Sequence, residues 1–500
     1  MPVLLPLRDF ERIAFGNNFA RITLSNSEVT RRTFMGAALA APLATAEAKE
    51  EWIDLFDGKS MTGWQPSENK GSWKVVDGAL AADGPRSHLF YTGPVHGADF
   101  KNFEIEVELT TKPDCNSGVY FHTQYQETGF PEKGFEIQVN NTAHGDGGYL
   151  ERKKTASLYG IRNMYKQLVP DQKPFKMRAA VRGKKVQIRL NGQLVVDYVE
   201  PTPPVIPEGG EKQRFLDHGT FALQCHNDGS KAFFKSVRVR PLPDDLPAYT
   251  GPAPVVDEIY RDLINIGRHN VPIVDYHVFL RDGMTLESAL RKSRQDGIQF
   301  GISVEATTLK GDAEADKWLR PFRDKPVFFA LLTRDGEWTR RFSQSAAQQF
   351  DYVLADGRMR SGEGSQMSMD ELVAQTVKRL DTEPIDIYAH ATVLPASMQS
   401  KAEELWTESR MARLIEAVVR NKVAIELDSL TQSPSIRFIQ MAKEAGCKFG
   451  FGTGNRTAAE LKRCEFGLSM VETCKLDWRN FYVPGSWWPK AVERRWPAAG

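Results

Sequence analysis

Asn116-Ser117-Gly118-Val119-Tyr120-Phe121-His122 and Gly134-Phe135-Glu136-Ile137-Gln138-Val139-Asn140, followed by Ser157-Leu158-Tyr159-Gly160, decide the reading of the first half of this chain. Side chains two apart on a strand share a face. Glu136, Gln138 and Asn140 are therefore expected together, with Phe135, Ile137 and Val139 turned the other way. The neighbouring run puts Tyr120, His122 and Gln124 on one side and Val119, Phe121 and Thr123 on the other; Phe221-Ala222-Leu223-Gln224-Cys225-His226 adds Gln224 and His226. The plain alternative is an antiparallel sheet with one face simply solvated. Residue type speaks against it. Solvated faces favour Lys, Glu and Thr, whereas amides, imidazoles and a phenol suit the hydroxyls and apolar faces of a sugar ring.

Working outward, short alternating runs at 103–109, 118–124, 135–140, 175–182, 186–198, 220–226 and 233–240 fill the stretch from Trp52 to Leu242. Asn191-Gly192 between two of them is a strong two-residue hairpin signal. Many short strands without helical periodicity predict a sandwich or jelly roll. A Pro-rich stretch over 243–255 is expected to be a linker. Beyond it, apolar runs at 271–280, 298–305, 326–332, 351–355, 385–391, 423–428 and 448–453 alternate with amphipathic stretches at 284–295, 368–380, 410–420 and 435–445. That alternation predicts a parallel α/β barrel of seven strands over 256–484, with 485–500 as a tail.

The 500 residues carry 65 basic and 64 acidic side chains, so no global field favours nucleic acid or an anionic membrane. Thr30-Arg31-Arg32-Thr33-Phe34-Met35-Gly36, a short apolar run and Ala46-Glu47-Ala48 read as a twin-arginine export signal over 1–48, which would place the mature protein in the periplasm or outside the cell. The run is too short and Ala-rich for a stable membrane anchor, since a span needs about 20 apolar residues. Cys115, Cys225, Cys447, Cys464 and Cys474 form no C-x-x-C pair and no metal-ligand spacing, unlike a disulfide scaffold.

Residues 52–242 resemble the 3-keto-disaccharide (3-keto-glycoside) hydrolase family. The blocks that carry the likeness are Leu55-Phe56-Asp57-Gly58-Lys59-Ser60-Met61-Thr62-Gly63-Trp64, Trp73-Lys74-Val75-Val76-Asp77-Gly78-Ala79-Leu80, Asn116-Ser117-Gly118, Phe135-Glu136-Ile137-Gln138, Leu158-Tyr159-Gly160, Leu190-Asn191-Gly192 and Leu223-Gln224-Cys225-His226. The sequence departs from the family pattern at His122, in place of an arginine, and at the insertion Glu151-Arg152-Lys153-Lys154. The resemblance implies a concanavalin A-like all-β jelly roll that cleaves glycosides already oxidised to a ketone at C3. The ketone acidifies the C2 proton, so a base can remove it, the C1 substituent can leave by β-elimination, and water can add back. Such a substrate implies an upstream glycoside 3-oxidoreductase. The chemistry needs a base, a donor toward the enolate oxygen and an acid for the leaving group. Glu136 and His122 are the expected base and acid, with His226 competing for either role; Asn116, Gln138, Tyr159, Arg152 and Gln224 are expected to hold hydroxyls or the enolate. A divalent metal polarising the ketone is compatible with this chemistry, although no ligand spacing in the domain demands one. The acidic strand Glu104-Ile105-Glu106-Val107-Glu108 superficially resembles the paired-carboxylate strand of retaining β-glucanases, with Glu in place of the central Asp.

Residues 256–484 resemble the PHP (polymerase and histidinol phosphatase) type of metal-dependent phosphoesterase barrel, with eroded motifs. Val274-Asp275-Tyr276-His277-Val278-Phe279 keeps one histidine of an H-x-H pair, Ile302-Ser303-Val304-Glu305 stands where T-D-H is expected, Ile385-Asp386-Ile387-Tyr388-Ala389-His390 keeps a histidine, and Gly452-Thr453-Gly454-Asn455-Arg456 replaces S-D-x-H. With these ligands lost and Arg456 expected at the cluster, a site for two or three metals is not expected; His277, Glu305 and His390 are weak candidates for a single ion. The expected whole is a multidomain chain: an all-β jelly-roll sandwich, then an α/β PHP-like (β/α)7 barrel. Two alternatives to glycoside cleavage stand beside it, a non-catalytic glycan-binding protein and a PHP-type phosphoesterase.

Overall fold

Alternating apolar residues drive two sheets together in the first half of the chain. The fold is known from a computed structural model that describes residues 51–143, 149–246, 249–358 and 367–497. The expected export signal lies outside these residues. The strands of the first domain are β1 (Ile53–Asp54), β2 (Trp64–Pro66), β3 (Trp73–Val76), β4 (Ala79–Asp83), β5 (Ser87–Tyr91), β6 (Phe103–Thr111), β7 (Asn116–Thr123), β8 (Phe135–Asn140), β9 (Phe175–Arg182), β10 (Lys185–Leu190), β11 (Gln193–Val199), β12 (Thr220–Cys225) and β13 (Lys231–Pro241). One sheet runs β11-β10-β9-β6-β13-β4-β3, with β1 on β13; the other runs β2-β5-β12-β7-β8. All pairings in both are antiparallel. Their inner faces, including Ile105, Val107, Val119, Phe121, Ile137, Val139, Leu223 and Val237, form one apolar core. This is the expected all-β sandwich.

The acidic strand is β6, in the first sheet. Glu104 pairs with Arg178, Arg182 and Arg240, Glu106 with Arg238, and Glu108 with Lys176. Burial pushes the Glu104 carboxyl up, but the three guanidiniums outweigh that and hold it below the ordinary range. These carboxylates are tied up in a cross-strand ion-pair ladder on neighbouring strands.

The second half closes into a parallel barrel in which β14 (Val274–Val278), β15 (Gln299–Glu305), β16 (Phe328–Thr333), β17 (Tyr352–Asp356), β18 (Ile387–Ala389), β19 (Ala424–Asp428) and β20 (Lys448–Gly452) follow each other in order. Each strand falls on one of the seven apolar runs. No helix among the described residues is long and apolar enough to cross a membrane, and all five cysteines are buried and free.

The two domains share side chains rather than merely a tether. Tyr260 and Ile264 of helix α1 (Glu258–Arg268) belong to the sandwich core, and Tyr165 of the first domain belongs to the barrel core. Residues 485–497, within the stretch expected as a tail, also take part. Ala491 and Val492 of a short helix are buried, the Ala491 amide donates to Asp386 at 2.7 Å, and Trp487 stacks against Trp478.

Candidate active site

On the outer face of the five-stranded sheet, cross-strand register sets Phe90 opposite Ala222, Ala222 opposite Tyr120, and Tyr120 opposite Glu136. Phe90, Ala222 and Tyr120 form a small apolar cluster of their own, separate from the sandwich core. The next row holds His88 opposite Gln224 and Gly118 opposite Gln138, with Asn116 opposite Asn140 beyond. The expected polar face is therefore present, and its groups bond to one another. Gln138 Nε2 donates to Asn116 Oδ1 at 2.9 Å, and Gln224 Nε2 donates to Tyr120 Oη at 3.0 Å. Gly118 is required here, because a Cβ would collide with the Glu136 carboxyl, which lies across the strand at that point.

Glu136 is 6 % exposed. Burial raises its carboxyl to about 7, against the opposing pull of Arg214 and the Tyr120 hydroxyl, and Glu151 adds to the rise. β8 is a sheet edge, and the stretch after it covers that edge. Leu158 bridges Ile137, Ala156 N donates to the Gln138 carbonyl and Tyr159 N to the Glu136 carbonyl, both at 2.9 Å. This sets Tyr159 beside Glu136. Its hydroxyl donates to Glu151 Oε2 at 3.0 Å, which also accepts from the Tyr149 hydroxyl at 3.2 Å. Lys153 Nζ lies 3.4 Å from Glu151 Oε1 and 4.5 Å from the centre of the Tyr159 ring. Arg214 donates to the Tyr159 carbonyl at 3.0 Å. Two carboxylates, three phenols and two cations thus surround one end of the face.

Three expected participants lie elsewhere. His122 does not stand beside Tyr120. The pairing of β7 with β12 slips by one residue, from Ala222 opposite Tyr120 to Thr220 opposite Thr123, and His122 takes φ 55°. This bulge turns the ring to the core side, edge-on to Phe103 and Phe121. There Nε2 donates to the Lys101 carbonyl at 2.9 Å and Nδ1 accepts from the Asp217 amide at 3.2 Å. Burial lowers its pKa to about 4, so it is neutral with both nitrogens engaged. We expect His122→Asn, which tolerates the left-handed backbone, to keep turnover within about threefold of wild type while lowering stability by ~1–3 kcal/mol; steady-state kinetics and urea denaturation check both.

His226 lies just past β12, four residues from Ala222 in the Glu136 row, or about 13 Å along the strand. Its Nδ1 is 3.0 Å from Asn227 Oδ1 and its ring packs on Phe130. Arg152 faces the barrel: its guanidinium donates to the Phe481 carbonyl and to Ser486 Oγ, both at 3.1 Å, and lies 4.9 Å above the Trp487 ring. It is a docking residue, not a substrate contact.

In the barrel, His277 Nδ1 lies 2.7 Å from Glu426 Oε1 and His390 Nδ1 lies 2.9 Å from Asp356 Oδ1. His277, His390 and Glu426 offer ligand atoms within 4.8 Å of one another. Glu305 is not among them, because it pairs with Arg281 at 2.7 Å. Arg456 points away from the cluster and pairs with Glu460. Burial pulls the His390 pKa down, but Asp356, Asp428 and Glu426 overcome this and raise it to about 9. Arg334 and Arg358 hold Asp356 as well. The donor set at His277, His390 and Glu426 fits one ion.

Sequence reasoning missed Glu151, Lys153 and Arg214 as parts of the first site, and Glu426 in the second. The only signal for the first two was the departure at 151–154 from the family pattern; Glu426 sits inside an apolar run, itself unusual for a carboxylate.

Residues 51–240 match the family model of the 3-keto-alpha-glucoside-1,2-lyase-like domain. A 3-keto-disaccharide hydrolase of Bacteroides thetaiotaomicron is 26% identical over 145 residues, covering 25% of this chain and 49% of that protein. The chain thus spans about half the length of this curated relative. Among solved structures, a provisionally assigned glycosyl hydrolase from Parabacteroides distasonis shares 22% identity with a TM-score of 0.32, covering 38% of this chain and 94% of the other. A carbohydrate-binding module from Bacillus subtilis shares 15% with a TM-score of 0.24, covering 36% and 95%.

Proposed function

We propose that the sandwich cleaves 3-keto-glycosides, with Glu136 as the base that removes the C2 proton. The observation that carries this reading is the Glu136 carboxyl raised to about 7 on a polar face, which gives a base matched to neutral pH. The family match over 51–240 supports the substrate class. Arg214, the cation acting most strongly on Glu136, faces the developing enolate charge. With His122 and His226 elsewhere, the Tyr159 hydroxyl supplies the proton to the leaving oxygen. The C1–O bond breaks as the C2 proton goes to Glu136. Water then adds across the new double bond: its hydroxyl goes to C1, its proton to the Tyr159 phenolate, and Glu136 returns a proton to C2. Atoms balance to a net hydrolysis.

The test is release of the alcohol from an alkyl 3-keto-glucoside by the purified full chain. We expect kcat/KM to rise with pH through a limb near 7, because the base works only when ionised, and product formed in D2O to carry deuterium at C2. Absence of release from every 3-keto-glycoside, with retained glycan binding, would replace this reading with that of a glycan-binding module.

A further inference from the structure

One residue of the barrel reaches into the sandwich site. Asn270 lies in the turn between α1 and β14, buried, with φ 66°. Both ends of its carboxamide bond across the domain boundary. Oδ1 accepts from the Arg152 amide at 3.1 Å and from Lys153 Nζ at 3.3 Å, and Nδ2 donates to the Leu150 carbonyl. Those partners flank Glu151. The Lys153 ammonium, which has no exposure, is in turn surrounded by Asn270 Oδ1, Glu151 Oε1 and the face of Tyr159. A chain of contacts therefore runs from the barrel through Lys153 to Glu151 and on to the Tyr159 hydroxyl.

The chemistry of the position is specific. Two donors meet one oxygen and one carbonyl meets the amide nitrogen, which a carboxamide satisfies and a carboxylate satisfies only in part. Asn also tolerates the left-handed backbone that the turn imposes. Elsewhere the same boundary is held by contacts that do not reach Glu151. Tyr165 donates to the Val271 carbonyl at 3.2 Å, Lys166 pairs with Asp351 at 2.8 Å, and Arg152 donates to Ser486.

We propose that Asn270 is a positioning residue for the sandwich site: through Lys153 it fixes Glu151, and through Glu151 it fixes the Tyr159 hydroxyl. The barrel thereby supplies part of the geometry of a site that lies wholly in the other domain. This rests on the reading of Glu136 and Tyr159 as the reacting pair.

The test compares full-length Asn270→Gly, Asn270→Asp and Ser486→Ala with wild type, by amide hydrogen exchange over 149–160 and by kinetics on a 3-keto-glucoside across pH. Gly keeps the left-handed backbone and removes only the side chain. In Asn270→Gly we expect exchange over 149–160 to quicken about tenfold while 116–123 and 135–140 stay protected. Turnover should fall by roughly 10–100-fold with KM within about twofold, as for a misplaced group. Tyr120, Arg214, Glu151 and Glu211 act on Glu136, and Lys153 and Tyr159 are coupled to it as well. With Lys153 no longer held against Glu151, the acid limb should move to higher pH. Asn270→Asp, which still accepts from both donors, should recover most of kcat, and Ser486→Ala should match wild type. Unchanged exchange in Asn270→Gly, an unmoved limb, or an equal loss in Ser486→Ala would each overturn the proposal. Should wild type act on no 3-keto-glycoside, the proposed function falls, while the exchange data still decide what Asn270 holds.

Discussion

Replacing Glu136 by Gln is expected to lower kcat on a 3-keto-glycoside by roughly 10²–10⁴-fold, with KM changed by less than about threefold. The amide keeps the size of the carboxyl and its place across Gly118, but it cannot accept the C2 proton. Stability moves the other way. Burial raises the Glu136 pKa from 4.5 to about 7, so the protonated group favours folding. Its contribution is present in full below about 4.5 and is lost as pH rises to about 7, a difference of up to about 3 kcal/mol at 1.36 kcal/mol per unit. The Gln variant carries no charge to bury, so at pH 8 its Tm should equal or exceed that of wild type, with the difference shrinking at pH 5. Kinetics and melting curves at both values test the pair of statements. A variant with full turnover removes Glu136 from the mechanism, and one that fails to fold at pH 8 removes the account of its burial.

Replacing Lys153 by Met carries the largest expected cost in stability. The ammonium has no exposure and sits between Glu151, Asn270 and the Tyr159 ring. Its loss leaves the Glu151 carboxylate buried with the amide of position 153 and the Tyr149 and Tyr159 hydroxyls, but without the ammonium that offsets its charge. Breaking a buried pair from one side costs about 3–5 kcal/mol, whereas replacing both partners by neutral groups of similar size is close to neutral. The double variant Glu151→Gln, Lys153→Met should therefore recover most of the loss, giving a coupling of at least about 2 kcal/mol in a urea-denaturation cycle. A single Lys153→Met variant within about 1 kcal/mol of wild type would show that the pair contributes little.

What was legible in the chain follows from the range of the interactions that matter. The polar face of 135–140 could be read because β8 is regular and period two survives intact. The same rule failed four residues along the neighbouring strand, because a bulge before Thr123 reverses the alternation and nothing local in Tyr120-Phe121-His122-Thr123 announces it. Seven apolar runs sufficed for the barrel strands, since strands buried on both faces need no alternation. Arg152 and Lys153 could not be assigned from their neighbours, because the groups that explain them, Phe481, Ser486 and Asn270, lie more than a hundred positions away. The exchange of Glu305 for Glu426 has the same cause. Glu305 ends β15 and Glu426 lies within β19, and only the closure of the ring shows which of them meets the histidines.

Gly118 carries a cost as well as a role. A central strand ordinarily favours β-branched or aromatic side chains, so glycine at this point weakens the sheet locally. Yet a single added carbon would occupy the place of the Glu136 carboxyl. A firmer sheet and a seated carboxyl thus make opposite demands on position 118: any side chain that strengthened the strand there would have to push the Glu136 carboxyl aside.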